Sequence, residues 1–489
     1  MQDRCPADAG PVRGLPACLL LAAAILLAAA SAFAQPPLNR DIQALIRAAE
    51  FGPEEVGVAA IDVASGRILI SIGDERPMIP ASNQKLLTTG AALLLLGQEF
   101  TFATTVYADR PPVEGTLYGD LIVVAGGDPC IGGRGTEGDP AAKFDALAAE
   151  VAQSITAVRG DLIIDATIFD GEHIHPSWPR DQLLRSYCAP VSALALNENC
   201  VFVRVSPATR VGQPAEVFSQ PRTAHVTIQN RCNTVQTGTG RAHITRLPQS
   251  DTIVVSGELT PASAGASANV PVLEPLKYAA TVLRERLEQA GVRIEGEITF
   301  VEEPTDLRLA KRLARAESPL TDAISVANKV SSNFHAEMIF KTLGRTVRTP
   351  ASFEAGAEAI AAAFERVGIP EGNWKIDDGS GLSRNNRISP FHLACFLRYL
   401  GLSDHRRAYI DSLAIAGVDG TLRRRMTQDP YKGNIYAKTG YIRGVSALSG
   451  YVRAGERLIA FSIIVNSPRT PDGRRLQDRI CRALVDSAR

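Results

Sequence analysis

Pro80-Ala-Ser-Asn-Gln-Lys-Leu-Leu-Thr-Thr-Gly90, with the apolar run to Leu96 behind it, decides how the rest of this 489-residue chain is read. The pattern predicts a helix start. Ser82 falls in the first turn and Lys85 three residues on, so hydroxyl and amine share one face at the positive end of the helix dipole. Behind them Leu86, Leu87 and Ala91 to Leu96 are apolar on nearly every side, the texture of a helix buried in the middle of a domain. Ser-x-x-Lys alone is a weak signal that also fits an ordinary helix start with a solvated lysine. No other lysine in the chain has a serine three residues before it.

Composition narrows the partners. With 45% hydrophobic and 21% charged residues the chain can bury a large core, and its length suggests two to four domains. Lys plus Arg and Asp plus Glu both number 52, so no basic or acidic surplus points to nucleic acid or to an anionic membrane surface. Arg4 and Arg13 precede an apolar run from Leu15 to Ala30 that ends in Ala32-Phe33-Ala34, the pattern of a secretory signal cleaved after Ala34. A retained anchor is the competing reading, but the run is short for a span and small residues stand where cleavage needs them. The mature chain is therefore expected to start at Gln35 and to be exported, with no transmembrane anchor after signal removal.

Export alters the reading of the cysteines. Cys130, Cys188, Cys200, Cys232, Cys395 and Cys481 would reside where disulfides persist. Cys188 and Cys200 flank a segment that could return as a hairpin and are the first pair expected, although spacing does not determine connectivity. No Cys-x-x-Cys or His-x-x-x-His spacing occurs, so neither metal nor cofactor is expected.

Along the chain, Leu38 to Phe51 has helical spacing, and Val56 to Val63 with Arg67 to Ile72 reads as a hairpin. After the Ser82 helix the texture changes to short strand-like pieces punctuated by Pro, Gly and Thr, with one clear helix from Glu274 to Ala290. From about Leu307 the pattern turns helical again, ending in three strands near Ile435, Ser446 and Leu458 and a helix from Arg475 to Asp486. The two early strands and three late ones would make one antiparallel sheet with helices against it, and the β-rich middle would be an insertion. The fold class expected is α+β, with an active site drawing on both sides of that insertion.

Two stretches of the insertion invite other readings. Leu121 to Ala125 followed by Gly126-Gly-Asp-Pro and a G-x-G-x-x-G at Gly133 to Gly138 superficially fits a dinucleotide loop. The long connection and the antiparallel texture around it favour a glycine-rich surface loop. Asp170-Gly-Glu-His-Ile-His-Pro-Ser-Trp178 reads as a surface loop pinned by Trp178, or as a loop facing substrate.

Further on, Ser331-Ser332-Asn333 lies between two helical stretches, and Lys438-Thr439-Gly440-Tyr441 opens a strand. Ser-x-Asn recurs at Ser267 and Ser383 and is weak alone, but Ser-x-x-Lys, Ser-x-Asn and Lys-Thr-Gly in this order are close to the motif set of penicillin-binding proteins and related β-lactamases. The residue types suit acyl transfer from an amide. Ser82 is the candidate nucleophile and Lys85 its base, provided burial and the like charge of Lys438 lower its pKa. Ser331 can pass a proton to the leaving nitrogen, Asn333 can orient the substrate backbone, and Lys438 with Thr439 suits a terminal carboxylate. Gly440 leaves room for an extended substrate, and the backbone N–H groups of Ser82 and Tyr441 are the candidate oxyanion donors. His335 has no triad partner in view and reads as structural.

Over most of its mature length the chain resembles the S13 peptidase family, the class C low-molecular-mass penicillin-binding proteins. The resemblance rests on Pro80-Ala-Ser-Asn-Gln-Lys, Gly126-Gly-Asp-Pro, Ala189-Pro-Val-Ser-Ala-Leu, Asp378-Gly-Ser-Gly-Leu-Ser-Arg384, Gly417-Val-Asp-Gly-Thr-Leu and Lys438-Thr-Gly. It implies a β-lactamase/transpeptidase-like serine DD-peptidase domain (35–101 and 305–489), an inserted domain II (102–128 and 217–304) and a nested domain III (129–216). It also implies a periplasmic D-alanyl-D-alanine carboxypeptidase or endopeptidase that acts on peptidoglycan stem peptides and is acylated by β-lactams. Tyr441 departs from the Ser or Thr that members often carry there, and the acidic residue facing the diaminopimelate end of the substrate has only Glu172, or His173, as candidates. A β-lactamase-like hydrolase and a non-catalytic cell-wall-binding scaffold are the competing functions.

Overall fold

A computed structural model describes residues 37–487, so the expected signal segment lies outside the described residues. Within them, no helix is long and apolar enough to cross a membrane.

The two ends of the chain meet in one antiparallel sheet. Its six strands run in the order Ala414–Ile415, Ile435–Ile442, Val445–Ala454, Arg457–Val465, Val56–Asp62 and Ile68–Ile72. Val56 pairs with Val465 and Asp62 with Ile459, so the first strand is zipped along its whole length to the last. Alternation along Val56–Asp62 sends its side chains to two different cores. Val58 and Ala60 pack with Ile42 and Ile46 of helix Pro37–Ala48 and with Leu476, Ile480 and Leu484 of helix Thr470–Asp486. Ala59 and Ile61 face Ala394 on helix Pro390–Leu402. With both faces covered, the run Val-Gly-Val-Ala-Ala-Ile is apolar throughout rather than at every second position.

The Ser82 helix is buried as its sequence predicts. A 3₁₀ turn, Ala81–Asn83, leads into helix Gln84–Leu96, in which every residue from Gln84 to Leu94 is buried. It packs against helices Leu320–Lys329, Asn333–Gly344, Phe353–Arg366 and Pro390–Leu402. At Gly90 the approach is so close that a Cβ would stand 2.6 Å from both Leu400 and Phe396. Leu87→Ala, at a fully buried position, is expected to destabilise the fold by about 2–5 kcal/mol in denaturant melts; a loss under about 1 kcal/mol would show that the helix is not packed as described.

Between the two halves of the sheet the chain departs from expectation in three places. Lys311–Pro319, expected to be helical, is a nine-residue edge strand antiparallel to Thr101–Ala108. Its alanines and charged residues favour a helix locally, and pairing with an existing sheet edge overrides that preference. Second, the insertion is not uniformly antiparallel. Leu121–Val124 and Leu162–Asp165 are parallel and joined through helix Ala142–Ala152, and Leu162–Asp165 is also parallel to Ile298–Phe300. A βαβ unit therefore exists beside the glycine-rich loop. Its helix begins only at Ala142, after the glycine motif, and a Cβ on Gly133 would stand 2.8 Å from Glu198, whose carboxylate pairs with Arg134. A protein carboxylate thus sits where a phosphate-binding loop would need an open cradle.

Third, the pairing cuts across the expected domain limits at 128/129 and 304/305, because Leu162–Asp165 and Lys311–Pro319 both belong to the five-stranded sheet with Thr101–Ala108. We propose instead one inserted unit from about 101–165 and 275–319, built on that sheet. A second, from about 200–271, would carry two of the three three-stranded sheets.

The cysteine pair also differs from expectation. Cys188 and Cys200 are both free thiols, as are the other four cysteines among the described residues. The intervening segment is not a hairpin: it passes through three consecutive residues with positive φ, Asn197 to Asn199, before entering strand Cys200–Ser206.

Candidate active site

The turn before the helix sets the geometry. Ala81 has a φ of +47°, an uncommon conformation for a residue with a side chain, and Ser82 follows it at the helix mouth. Two glycines allow other segments to close on this turn. Gly381, with a φ of +80°, lies so near that a Cβ would sit 1.9 Å from the Ala81 carbonyl oxygen. A Cβ on Gly440 would lie 2.8 Å from the Pro80 carbonyl oxygen and 3.3 Å from the Ser82 nitrogen, so the Lys438 strand passes directly beside the nucleophile. Gly440→Val is accordingly expected to slow acylation about 100-fold through displacement of Ser82, and to cost about 1–3 kcal/mol of stability through crowding. Unaltered labelling kinetics would refute that close approach.

Asn83 laces the turn to the same strand. Its Nδ2 donates to the Lys438 carbonyl at 2.7 Å, and its Oδ1 accepts from Ser449 Oγ at 2.7 Å. Nothing in the motif reading singled it out.

The predicted residues converge. Lys85 Nζ lies 3.1 Å from Ser82 Oγ and donates to Asn333 Oδ1 at 2.7 Å and to the Ser380 carbonyl at 2.7 Å. Lys438 Nζ donates to Ser331 Oγ at 2.8 Å and to the Thr439 carbonyl at 2.8 Å. Thr439 Oγ1 bonds to Thr421 Oγ1 at 2.9 Å, and Asn333 Nδ2 donates to the Tyr187 carbonyl at 2.9 Å. Tyr441 is about half exposed, with the Arg474 guanidinium over its ring. Ser331 has a φ of +62°, which turns its hydroxyl back from the end of helix Leu320–Lys329 toward Lys438.

Both lysines are fully buried. Burial pushes Lys85 down to about 7, partly offset by the Asp378 and Glu337 carboxylates. Lys438 is pushed well below the lysine range by burial and then by the charge of Lys85. An amine that loses its proton near neutrality beside a serine hydroxyl can accept that hydroxyl's proton.

Around these residues stands a shell that the sequence motifs did not reveal by role. Glu337, Asp378 and Ser380 are all fully buried, and Ser380 offers Lys85 only its backbone. Asp378-Gly-Ser-Gly was visible as a motif without an assigned task. The loop at 170–178 is tied down at both ends: Asp170 pairs with the buried Lys341, and Trp178 Nε1 donates to Asp378 Oδ2 at 3.1 Å. His335 is buried with Nδ1 3.0 Å from Ser332 Oγ, the residue that caps helix Asn333–Gly344. Its place is beneath the site.

Residues 38–486 match the family described as D-Ala-D-Ala carboxypeptidase 3 (S13). A D-alanyl-D-alanine carboxypeptidase from Actinomadura sp. (strain R39) is 34% identical over 483 residues, covering 96% of this chain and 88% of the relative. D-alanyl-D-alanine carboxypeptidase DacB from Haemophilus influenzae is 28% identical over 440 residues, covering 85% of this chain and 86% of that one. Among solved structures, penicillin binding protein 4 (dacB) from Haemophilus influenzae superposes with a TM-score of 0.78 at 25% identity, covering 91% of this chain and 99% of the other. The likeness extends over the inserted sheets as well as the α+β, transpeptidase-like part.

Proposed function

Because this chain belongs to the D-Ala-D-Ala carboxypeptidase 3 (S13) family, we propose that it cleaves D-Ala-D-Ala termini and D-Ala-diaminopimelate cross-links of peptidoglycan through an acyl-enzyme on Ser82. That it is a serine peptidase, a hydrolase, follows from the family and its named relatives. The observation that carries the finer reading is the meeting of Ser82 and Lys85 with Ser331, Asn333 and Lys438, brought together from the two sides of the insertion.

In this mechanism Lys85 takes the Ser82 proton as Oγ attacks the carbonyl carbon of the penultimate D-Ala. The backbone N–H groups of Ser82 and Tyr441 receive the oxyanion. Ser331, hydrogen-bonded to Lys438, passes a proton to the departing amine, and Asn333 holds the substrate backbone. Lys438 and Thr439 receive the terminal carboxylate. Lys438 is short of a counter-charge in the free protein, so an arriving carboxylate restores its preference for the charged form. Water then hydrolyses the ester. A β-lactam presents the same carboxylate and a strained amide, which makes it a covalent inhibitor of the same serine.

Incubation of the purified protein with uncross-linked and cross-linked muropeptides, followed by mass measurement, tests the substrate. Stem pentapeptides are expected to lose one D-Ala and dimers to split into monomers. Neither product forming would remove the peptidase reading, and rapid release of bound penicillin would favour a β-lactamase-like hydrolase. Export to the periplasm is part of the proposal, supported by the sequence from Arg4 to Ala34 and checked by N-terminal sequencing, which should begin at Gln35.

A further inference from the structure

The turn Asp378–Gly381 accepts a hydrogen bond from Lys85 on the Ser380 carbonyl oxygen, at 2.7 Å. Two carboxylates account for where that atom stands. Glu337, one helical turn beyond Asn333, accepts the Ser380 N–H on Oε1 at 2.8 Å and the Gly379 N–H on Oε2 at 3.0 Å. Asp378 accepts the Gly381 N–H at 2.7 Å on one oxygen and the Ser383 N–H at 2.7 Å on the other, with Asn386 Nδ2 and Trp178 Nε1 completing its shell. Thr88 Oγ1, on the Lys85 helix, donates to the Gly379 carbonyl at 2.7 Å.

The turn has no room to shift. A Cβ on Gly379 would lie 2.5 Å from Phe340 Cβ and one on Gly381 would lie 1.9 Å from the Ala81 oxygen, so the turn is wedged between the Asn333 helix and the nucleophile turn.

We propose that Glu337 and Asp378 are positioning residues for acyl transfer: they clamp this turn so that the Ser380 carbonyl fixes Lys85 beside Ser82, and their charge governs how readily Lys85 gives up its proton. This rests on Lys85 being the base. Neither carboxylate touches substrate; both act through the backbone of residues 379–381.

The charges around the amine are few. Asp378 and Glu337 favour protonated Lys85, while Arg134 opposes it and Lys438 is itself disfavoured by Lys85. Glu337 faces Asp378, Lys85 and, further off, Lys341. Burial first, and then Asp378, raises the Glu337 carboxyl above the ordinary carboxylate range, against the pull of its Ser380 and Gly379 donors. The protons of Lys85 and Glu337 belong to the pair, and wherever Glu337 is ionised it holds the proton on Lys85, so a neutral side chain at 337 makes Lys85 easier to deprotonate. A glutamine at 337 can accept only one of the two backbone N–H groups and turns an NH₂ toward the other, so the turn loses its clamp.

The test is the second-order rate of labelling by a fluorescent penicillin, followed from about pH 5 to about pH 9, for the native enzyme, Glu337→Gln and Glu337→Asp. Glu337→Gln is expected to label about 100-fold more slowly, with its pH midpoint moved to lower pH. Glu337→Asp, which keeps the charge on a shorter stem, should also be slow but retain a midpoint near the native one. A purely structural contact would change rate and leave the midpoint in place, and that result for Glu337→Gln overturns the proposal, as does a native rate and profile. Failure of the native enzyme to label, or labelling that survives Ser82→Ala, would instead defeat the reading of Ser82 and Lys85. Should the glutamine variant fail to fold, the native protein decides by ¹³C-lysine NMR, with the Lys85 signal assigned through Lys85→Arg. Titration far below the ordinary lysine range, with a second inflection as Glu337 ionises, supports the proposal, and an ordinary lysine titration overturns it.

Discussion

Ser82→Ala is expected to abolish covalent labelling by a fluorescent penicillin and to lower D-Ala release by roughly 10⁴-fold or more. The substitution removes one oxygen from a position where backbone, not side chain, determines the local shape. The turn is held by Asn83 on the Lys438 carbonyl and by the close approach of Gly381 and Gly440, none of which involves the Ser82 hydroxyl. The variant should therefore fold and melt like the native protein, and the loss can be assigned to chemistry. Intact-protein mass spectrometry makes the check quantitative: the native protein gains the mass of one penicillin, and the variant gains none. An adduct on the variant would place the nucleophile elsewhere, with Ser331 the first position to map because its hydroxyl also meets a buried lysine.

Lys85→Met keeps the length and apolar stem of the side chain and removes the amine. Acylation is expected to fall about 10²- to 10⁴-fold, the range for a lost general base. In the native enzyme the acylation rate should rise as pH increases through about 7, where burial has brought the Lys85 pKa, and then level off; the methionine variant should lack that rise. Stability moves the opposite way. The folded-state pKa lies below the unfolded value, so the unfolded chain holds an extra proton between about 7 and the ordinary lysine value of 10.5. Native stability rises with pH across that window, and the cost of burying the amine is fully present below about pH 7. Lys85→Met should thus melt above the native protein at neutral pH, with the gap closing towards pH 10. A variant that melts lower and retains the rate would remove Lys85 from the mechanism.

How much of this could be read from the residues depends on whether a side chain or the backbone carries the contact. The sheet that unites both chain ends was legible because its strands are runs of buried apolar residues, as in Val56–Asp62 and Arg457–Val465. Ser82, Lys85, Ser331, Asn333 and Lys438 were legible because acyl transfer needs those groups, and the structure does bring them together. Ser380 was not, because its carbonyl does the work and any residue has one. Glu337 was hidden for the related reason that its partners are backbone N–H groups of a loop 42 and 43 residues away. The strand Lys311–Pro319 is composed of residues that suit a helix, and only the free edge of Thr101–Ala108 makes it extended. Register between distant segments likewise moved the proposed limits of the inserted units, since texture alone cannot tell which short strands pair.

The zipper between Val56–Asp62 and Arg457–Val465, together with the bond from Asn83 to a carbonyl 355 residues further on, bears on the order in which the enzyme can come to life. During synthesis the turn that carries Ser82 emerges first, and the strand that braces it and supplies Lys438 follows only 355 residues later. A nascent or prematurely terminated chain holds a serine and a lysine with no partner strand, and so carries no working site. The proposed site is thereby tied to residues 435–465: a break anywhere before Lys438 leaves Ser82 and Lys85 without the strand that closes on them.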